Sequence, residues 1–168
     1  GEVGRVMPIN LCPNYHLIRY QICEFKLVTI IIPTKDLGAV LDRCLTSIFE
    51  KTTYPNYEVL VVDNGSTDRL TFAIFDDWLD REPTRFRSQV LDIPFNYSAL
   101  NNYAVRQSQG DYLLFLNNDT EVIAADWLDA MVEQAQRPQI GAVGVRLLYP
   151  DGTLQHAGVT AGIAGIAG

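Results

Sequence analysis

The sequence is poor in cysteine and positive charge, and it has none of the common phosphate-binding glycine loops. Its three cysteines, Cys12, Cys23 and Cys44, are odd in number, widely spaced and form no CxxC. That pattern argues against a disulfide framework and against a zinc site, and a reducing cytoplasm is the simplest setting for it. No GxGxxG follows the first β-branched run and no GxxxxGK[ST] occurs, which disfavours the usual dinucleotide-binding fold and the P-loop. No serine sits in GxSxG, which removes the usual nucleophile elbow. No apolar run approaches the length of a membrane span. Thirteen Lys and Arg stand against 20 Asp and Glu, a net charge of -7, so no basic surface for nucleic acid is expected. An acidic protein that takes a phosphate compound must offset the repulsion locally, which a carboxylate-held metal ion does. The start, Gly1 to Arg5, has no basic segment leading into an apolar stretch, so it does not read as a signal peptide. The lack of an initiator Met suggests a piece of a longer chain.

What is present is an ordinary globular balance over 168 residues, 48% hydrophobic and 20% charged, enough for one domain with a proper core. Residues 1–26 have no clean period and read as an extension, a loop with a short helix. Leu27 to Pro33 and Glu58 to Val62 are continuous apolar runs, as expected for strands buried on both faces of a parallel sheet. Leu41, Cys44, Leu45, Ile48 and Phe49 recur at helical spacing over Ala39 to Lys51. A second helix is expected with Leu70, Ile74, Trp78 and Leu79 inward, ending at Glu82-Pro83. Arg87 to Ile93 reads as a strand and Ala99 to Gln109 as a helix closed by Gly110. Tyr112 to Leu116 reads as a fully buried strand, and Trp127 to Ala135 as a helix. Ile140 to Tyr149 and Thr153 to Val159 read as a hairpin around Pro150-Asp151-Gly152, and residues 161–168 as a flexible Gly/Ala loop. Strands alternating with helices imply an α/β fold, a mostly parallel sheet covered on both faces.

In such a sheet ligands bind at the carboxyl ends of the strands. The polar tips Thr34 to Asp36, Asp63 to Ser66 and Asn117 to Asp119 should therefore converge along one edge. Asp63 and Asp119 each end a run of apolar residues. A hard divalent cation such as Mg²⁺ or Mn²⁺ prefers oxygen ligands and often takes one or two carboxylates, with diphosphate and water completing the shell. Asp119 beside the neutral Asn117 and Asn118 suits that arrangement. Asp63 suits either a nucleobase N–H or ribose hydroxyl, or a plain turn with a helix cap. Asn101 and Asn102 read as a wet helix face, and Trp78, Trp127 and Cys44 as core.

Four segments together resemble family 2 glycosyltransferases of the GT-A fold. They are Val28 to Asp36, Glu58 to Asp68, Asn96 to Asn102 and Leu113 to Glu121, spaced suitably over about residues 27–160. The last, with Leu154 to Val159, is similar to the rhamnosyltransferase and O-antigen branch. The resemblance implies a Rossmann-like three-layer α/β/α domain over 27–160 that binds a UDP- or dTDP-sugar. It implies that Pro33, Thr34 and Asp36 touch base and ribose, that Asp63 binds uracil or thymine, and that Asn102 faces the nucleotide. Asn117-Asn118-Asp119 corresponds to the DXD-type motif, with Asp119 as ligand to Mn²⁺ or Mg²⁺, Asn118 near ribose and diphosphate, and an amide in place of the first acid. Inverting transfer of the sugar to a glycan or lipid-linked glycan acceptor is implied, and the expected setting is the cytoplasm, free or at the inner face of the membrane. The general base of such enzymes lies in the acceptor half, beyond Gly168, and Glu121 and Asp126 stand too close to the metal strand to serve. Two other readings are a nucleotide-sugar-binding fragment without turnover and, more distantly, a signalling module phosphorylated on Asp63. The latter needs a late lysine, and lysines occur only at 26, 35 and 51.

Overall fold

A computed structural model describes residues 4–8 and 16–158. They fall into two compact units, one from the described residues within 1–22 and 129–168, the other from residues 23–128.

The first unit begins with β1 (Gly4–Pro8) and β2 (His16–Tyr20), paired antiparallel with Gly4 opposite Tyr20. This hairpin replaces the loop and short helix expected over residues 1–26. Its anchor is distant in sequence: Arg19 Nε and a terminal guanidinium nitrogen donate to the Glu133 carboxylate at 2.6 to 2.8 Å, and Tyr20 N donates to it at 3.1 Å. No local periodicity could signal such a tie.

The second unit runs β3 (Val28–Thr34), α1 (Gly38–Lys51), β4 (Tyr57–Asp63), α2 (Arg69–Arg81), β5 (Phe86–Val90), α3 (Tyr97–Gln107) and β6 (Tyr112–Phe115). The strands form one parallel sheet in the order β5-β4-β3-β6, with Thr34 beside Asp63 and Ile31 beside Phe115. Every carboxyl end therefore lies on one side. Ile31, Leu60 and Val62 pack with Leu100 and Ala104 of α3. By the alternation of side chains along a strand, Ile30, Ile32, Val59 and Val61 fill the opposite face, and all four are buried. α1 and α2 pack together through the stacked rings of Phe49 and Trp78, 5.0 Å apart, and the Trp78 Nε1–H bond to Asp42 at 2.9 Å.

Several expectations are corrected. Among the described residues β6 has a single strand neighbour, and of its side chains only Leu114 is buried while Leu113 and Phe115, on the opposite face, stand exposed. α2 buries Thr71, Phe75 and Trp78, with Leu70 and Leu79 exposed. Its inner face is rotated because Thr71 spends its hydroxyl on Asp68 Oδ2 and buries its methyl. α3 starts earlier, at Tyr97, because Asn96 caps it through Ala99 N, and it ends at Gln107 with Ser108 as its C-cap. Gly110 is thus no helix cap. It is a close approach: a Cβ there would lie 2.6 Å from Thr29 N.

After α4 (Trp127–Ala135), the paired strands shrink to β7 (Leu147–Leu148) and β8 (Leu154–His156). Residues 140–146 are not a strand. Gly141 and Gly144 lie there with no described atom within 4 Å of where a Cβ would be, so these two positions add no side-chain packing to a strand. Val159 and residues 161–168 lie outside the described residues. Among the described residues, no helix is long and apolar enough to cross a membrane.

Candidate functional site

The tips of β3, β4 and β6 surround a cavity of about 290 Å³ lined by Pro33, Thr34, Lys35, Leu37, Asn64, Phe95, Leu100, Asn117, Asn118 and Asp119. Each wall has a local cause.

Beyond β3 the chain takes two consecutive left-handed residues, Asp36 at φ 52° and Leu37 at φ 59°, the only such non-glycine positions among the described residues. Two side chains in that region carry strain, and hydrogen bonds hold them there. Asp36 N donates to Ser66 Oγ at 2.7 Å, and Asp36 Oδ1 accepts Thr67 N and Asp68 N at 2.7 and 2.9 Å. Those backbone bonds, chiefly the Thr67 one, hold the Asp36 carboxyl below its ordinary pKa. The bend turns exposed Leu37 onto the cavity, opposite exposed Phe95 of the β5–α3 loop.

Beyond β4, neighbouring residues diverge. Asp63 is buried and its carboxylate accepts the Ser66 N–H and hydroxyl, so it shapes the turn and does not line the cavity. Asn64 does line it. Its Nδ2 donates to Leu91 O at 3.0 Å and Ile93 O at 2.8 Å, using both amide hydrogens. Its Oδ1 is buried with no partner. A buried acceptor left unmade costs about 1–3 kcal/mol, so such a group asks for an explanation.

Beyond β6, Leu116 N makes a last sheet bond to Ile31 O at 3.0 Å, and the chain then leaves through Asn117-Asn118-Asp119. Asn118 Nδ2 donates to Thr34 Oγ1 at 2.9 Å, fastening this tip to that of β3. Beneath it lies Cys44, whose Sγ is 3.8 Å from Asn117 O. Burial pushes that thiol up to about 12, and the Asp119 and Glu121 carboxylates push in the same direction.

Of the residues named from sequence, Pro33, Thr34, Asn117, Asn118 and Asp119 are brought together around the cavity. Asp36 and Asp63 support its rim. Asn102 is exposed on α3 and does not line it; its neighbour Asn101 is the buried one. Lys35 and Asn64 fall within the strand tips expected to converge but were given no role, and Leu37, Phe95 and Leu100 were not anticipated. Asn64 carried a signal, an amide next to a strand-end aspartate, whereas Leu37 depends on a backbone bend that its own side chain does not announce.

Asp119 is the one carboxylate lining the cavity, and no group of three or more His, Cys, Asp or Glu suited to a metal occurs among the described residues. That donor set does not suit zinc, which wants three or four nitrogen or sulfur ligands. It fits a hard cation that takes one protein carboxylate, nearby amide oxygens, and the rest from water and a bound diphosphate.

Comparison with known proteins is consistent with this arrangement. The profile described as "Glycosyl transferase family 2" matches residues 29–161. The chain is 47% identical over 168 residues to the O-antigen biosynthesis protein RfbC of Myxococcus xanthus, covering 100% of this chain and 13% of that protein. It is 30% identical over 122 residues to the O-antigen chain rhamnosyltransferase RfbN of Salmonella typhimurium, covering 72% of this chain and 37% of the relative. Among solved structures, a Pyrobaculum calidifontis mannosyltransferase in complex with GDP-Man and Mn2+ superposes with a TM-score of 0.63 at 26% identity. That match covers 68% of this chain and 33% of the other. The chain thus spans well under half the length of each of these proteins.

Proposed function

The chain belongs to glycosyl transferase family 2, and on that premise we propose that it is the donor-binding part of a metal-dependent, inverting glycosyltransferase. The donor is a UDP- or dTDP-sugar, and the acceptor is a glycan or lipid-linked glycan of the O-antigen type. The observation that carries this reading is the convergence of three strand tips on one cavity, where Asn117, Asn118, Asn64 and the carboxylate of Asp119 line the same space.

The roles follow from the walls. Leu37 and Phe95 give two apolar surfaces for a planar base. Asn64 is the β4-tip residue on the cavity wall, and its Oδ1, shut from solvent in the free protein, meets the ring N–H of uracil or thymine when the amide turns toward the base. Asp36 acts indirectly, by fixing the bend that presents Leu37, and Asp63 does so by fixing the turn that presents Asn64. Pro33, Thr34 and Asn118 form the side facing the ribose, and Asn117 and Asp119 the side facing the diphosphate. Asn102 is the outermost of these positions and would touch only a donor reaching past the start of α3. A cation on Asp119 supplies neutralisation of the diphosphate as it leaves. The chain's own residues bind and orient the donor so that the anomeric carbon is open to attack from one side. No second carboxylate lines the cavity, so none of the residues around it is assigned as the acceptor's general base. This favours a second reading, nucleotide-sugar binding without turnover, which differs from the first in activity and not in ligand.

The test is calorimetry of UDP, dTDP and GDP binding with and without Mn²⁺, in the wild-type chain and in Asp119→Ala. The archaeal neighbour's GDP-Man is the reason to include GDP. Loss of Mn²⁺-dependent binding in the variant is expected. Binding that is unchanged in Asp119→Ala overturns the assignment of the metal ligand. Assay beside a longer chain of the same protein separates transfer from binding alone.

A further inference from the structure

We propose that one face of α1, carried by Cys44, Ser47 and Lys51, positions the Asp119 carboxylate, with Ser47 as the central positioning residue. This rests on the reading of Asp119 as the residue that meets a cation and diphosphate.

The loop after β6 has neither a helix nor a strand of its own between Asn117 and Val122. Its backbone groups must find partners elsewhere, and α1 supplies them at both ends. At the near end, Asn117 O receives the Cys44 thiol at 3.8 Å. At the far end, Val122 N donates to Ser47 Oγ at 2.9 Å and Val122 O accepts Lys51 Nζ at 2.7 Å. The Ser47 hydroxyl spends its own hydrogen on Cys44 O at 2.8 Å, so it faces the Val122 N–H with a lone pair. The buried Val122 side chain closes this end.

The three α1 positions are spaced i, i+3 and i+7, which puts them on one helix face over two turns. The helix therefore sets the span between Asn117 and Val122. The four residues between them, Asn118 to Glu121, arch from one fixed end to the other, with Asp119 near the middle. Thr120 bonds within the arch, its hydroxyl donating to Asn117 O at 2.7 Å. Asn118 ties it sideways to Thr34. Among the described residues no hydrogen bond or ion pair holds the Asp119 side chain itself, so its aim is inherited from the arch. The Cys44 thiol, high in pKa, stays protonated and able to donate across the ordinary pH range.

Groups that orient a metal ligand change metal affinity when removed, typically by about 10–100-fold. The test uses the whole chain with the nucleotide that binds the wild type best, Mn²⁺ binding being read by electron paramagnetic resonance and calorimetry. Ser47→Ala should weaken Mn²⁺ binding in the presence of the nucleotide by at least about tenfold, while metal-free nucleotide affinity stays unchanged. Ser47→Thr, which keeps the hydroxyl, should restore the wild-type value. Lys51→Met removes an exposed side chain and should shift Mn²⁺ affinity in the same direction by less, so it decides the matter if Ser47→Ala does not fold. Folded variants with wild-type Mn²⁺ affinity overturn this proposal alone. An equal loss of metal-free binding also overturns it, since that reports general loosening of the site. A wild-type chain whose nucleotide binding ignores Mn²⁺ overturns the parent reading and this one with it.

Discussion

Replacing Asn64 by alanine separates a binding role from a structural one because the two have opposite signatures. In the free protein the amide makes two bonds, to Leu91 O and Ile93 O, each worth about 0.5–1.5 kcal/mol net. Both residues are half-buried, so water can take over their carbonyls. The same side chain carries the buried Oδ1 without a partner, a penalty of about 1–3 kcal/mol that alanine relieves. The two terms nearly cancel, so Asn64→Ala should change folding stability by less than about 1 kcal/mol. The nucleotide complex has no such cancellation. There the base N–H would lose its acceptor on the protein, and a loss of about 1.4 kcal/mol is tenfold in affinity. Urea unfolding and calorimetry with UDP and dTDP measure the two quantities separately. A variant destabilised by more than about 2 kcal/mol with unchanged nucleotide affinity would refute the argument and make Asn64 a brace for the β5–α3 loop and nothing more.

Gly110→Ala forces a Cβ against the backbone of Thr29 and Tyr112; overpacking of about 1–3 kcal/mol should lower Tm by roughly 2–12 °C in a chain of this size, and an unchanged calorimetric Tm would contradict it. Cys44 has its pKa raised to about 12, so the folded state holds a proton that the unfolded state releases near pH 8.5. Its contribution is complete below about pH 8.5 and falls by about 1.4 kcal/mol per pH unit as pH rises toward 12. Urea unfolding at a series of alkaline pH values should therefore show a shallower loss in Cys44→Ala than in the wild type.

The β3–α1–β4 core was legible in the sequence because its apolar residues are both buried and periodic, whereas the inner face of α2 was misread because it includes Thr71 and leaves out Leu70 and Leu79; the convergence of strand tips followed from parallel topology alone. The membership of the site was only partly legible. Asp63 and Asn64 are adjacent at a strand end, and nothing in their order says that the charged one turns into the turn while the neutral one meets the cavity. Leu37 looks like a helix residue until the backbone takes a left-handed bend fixed by a side chain at 36 and amides at 67 and 68. That β6 has a single strand neighbour among the described residues was hidden because an apolar run reads the same whether a second neighbour is present or not. The β1–β2 hairpin depends on an ion pair across 114 residues, which no local window contains. Residues 140–146 have the apolar content of a strand, but two of the seven are glycines that contribute no side chain to it.

The Asp36 clamp also divides the burden of substitution unequally. Its carboxylate meets Thr67 and Asp68 through their backbone N–H groups, which every residue except proline possesses. The acidic side of the clamp is therefore restricted to a short side chain with a well-placed oxygen. For this contact, the side chain at position 67 is free to drift, and the one at position 68 answers to its separate tasks of capping α2 through Leu70 N and accepting the Thr71 hydroxyl. Variant libraries should accordingly find position 67 permissive to everything but proline, beside an intolerant position 36, although the two touch.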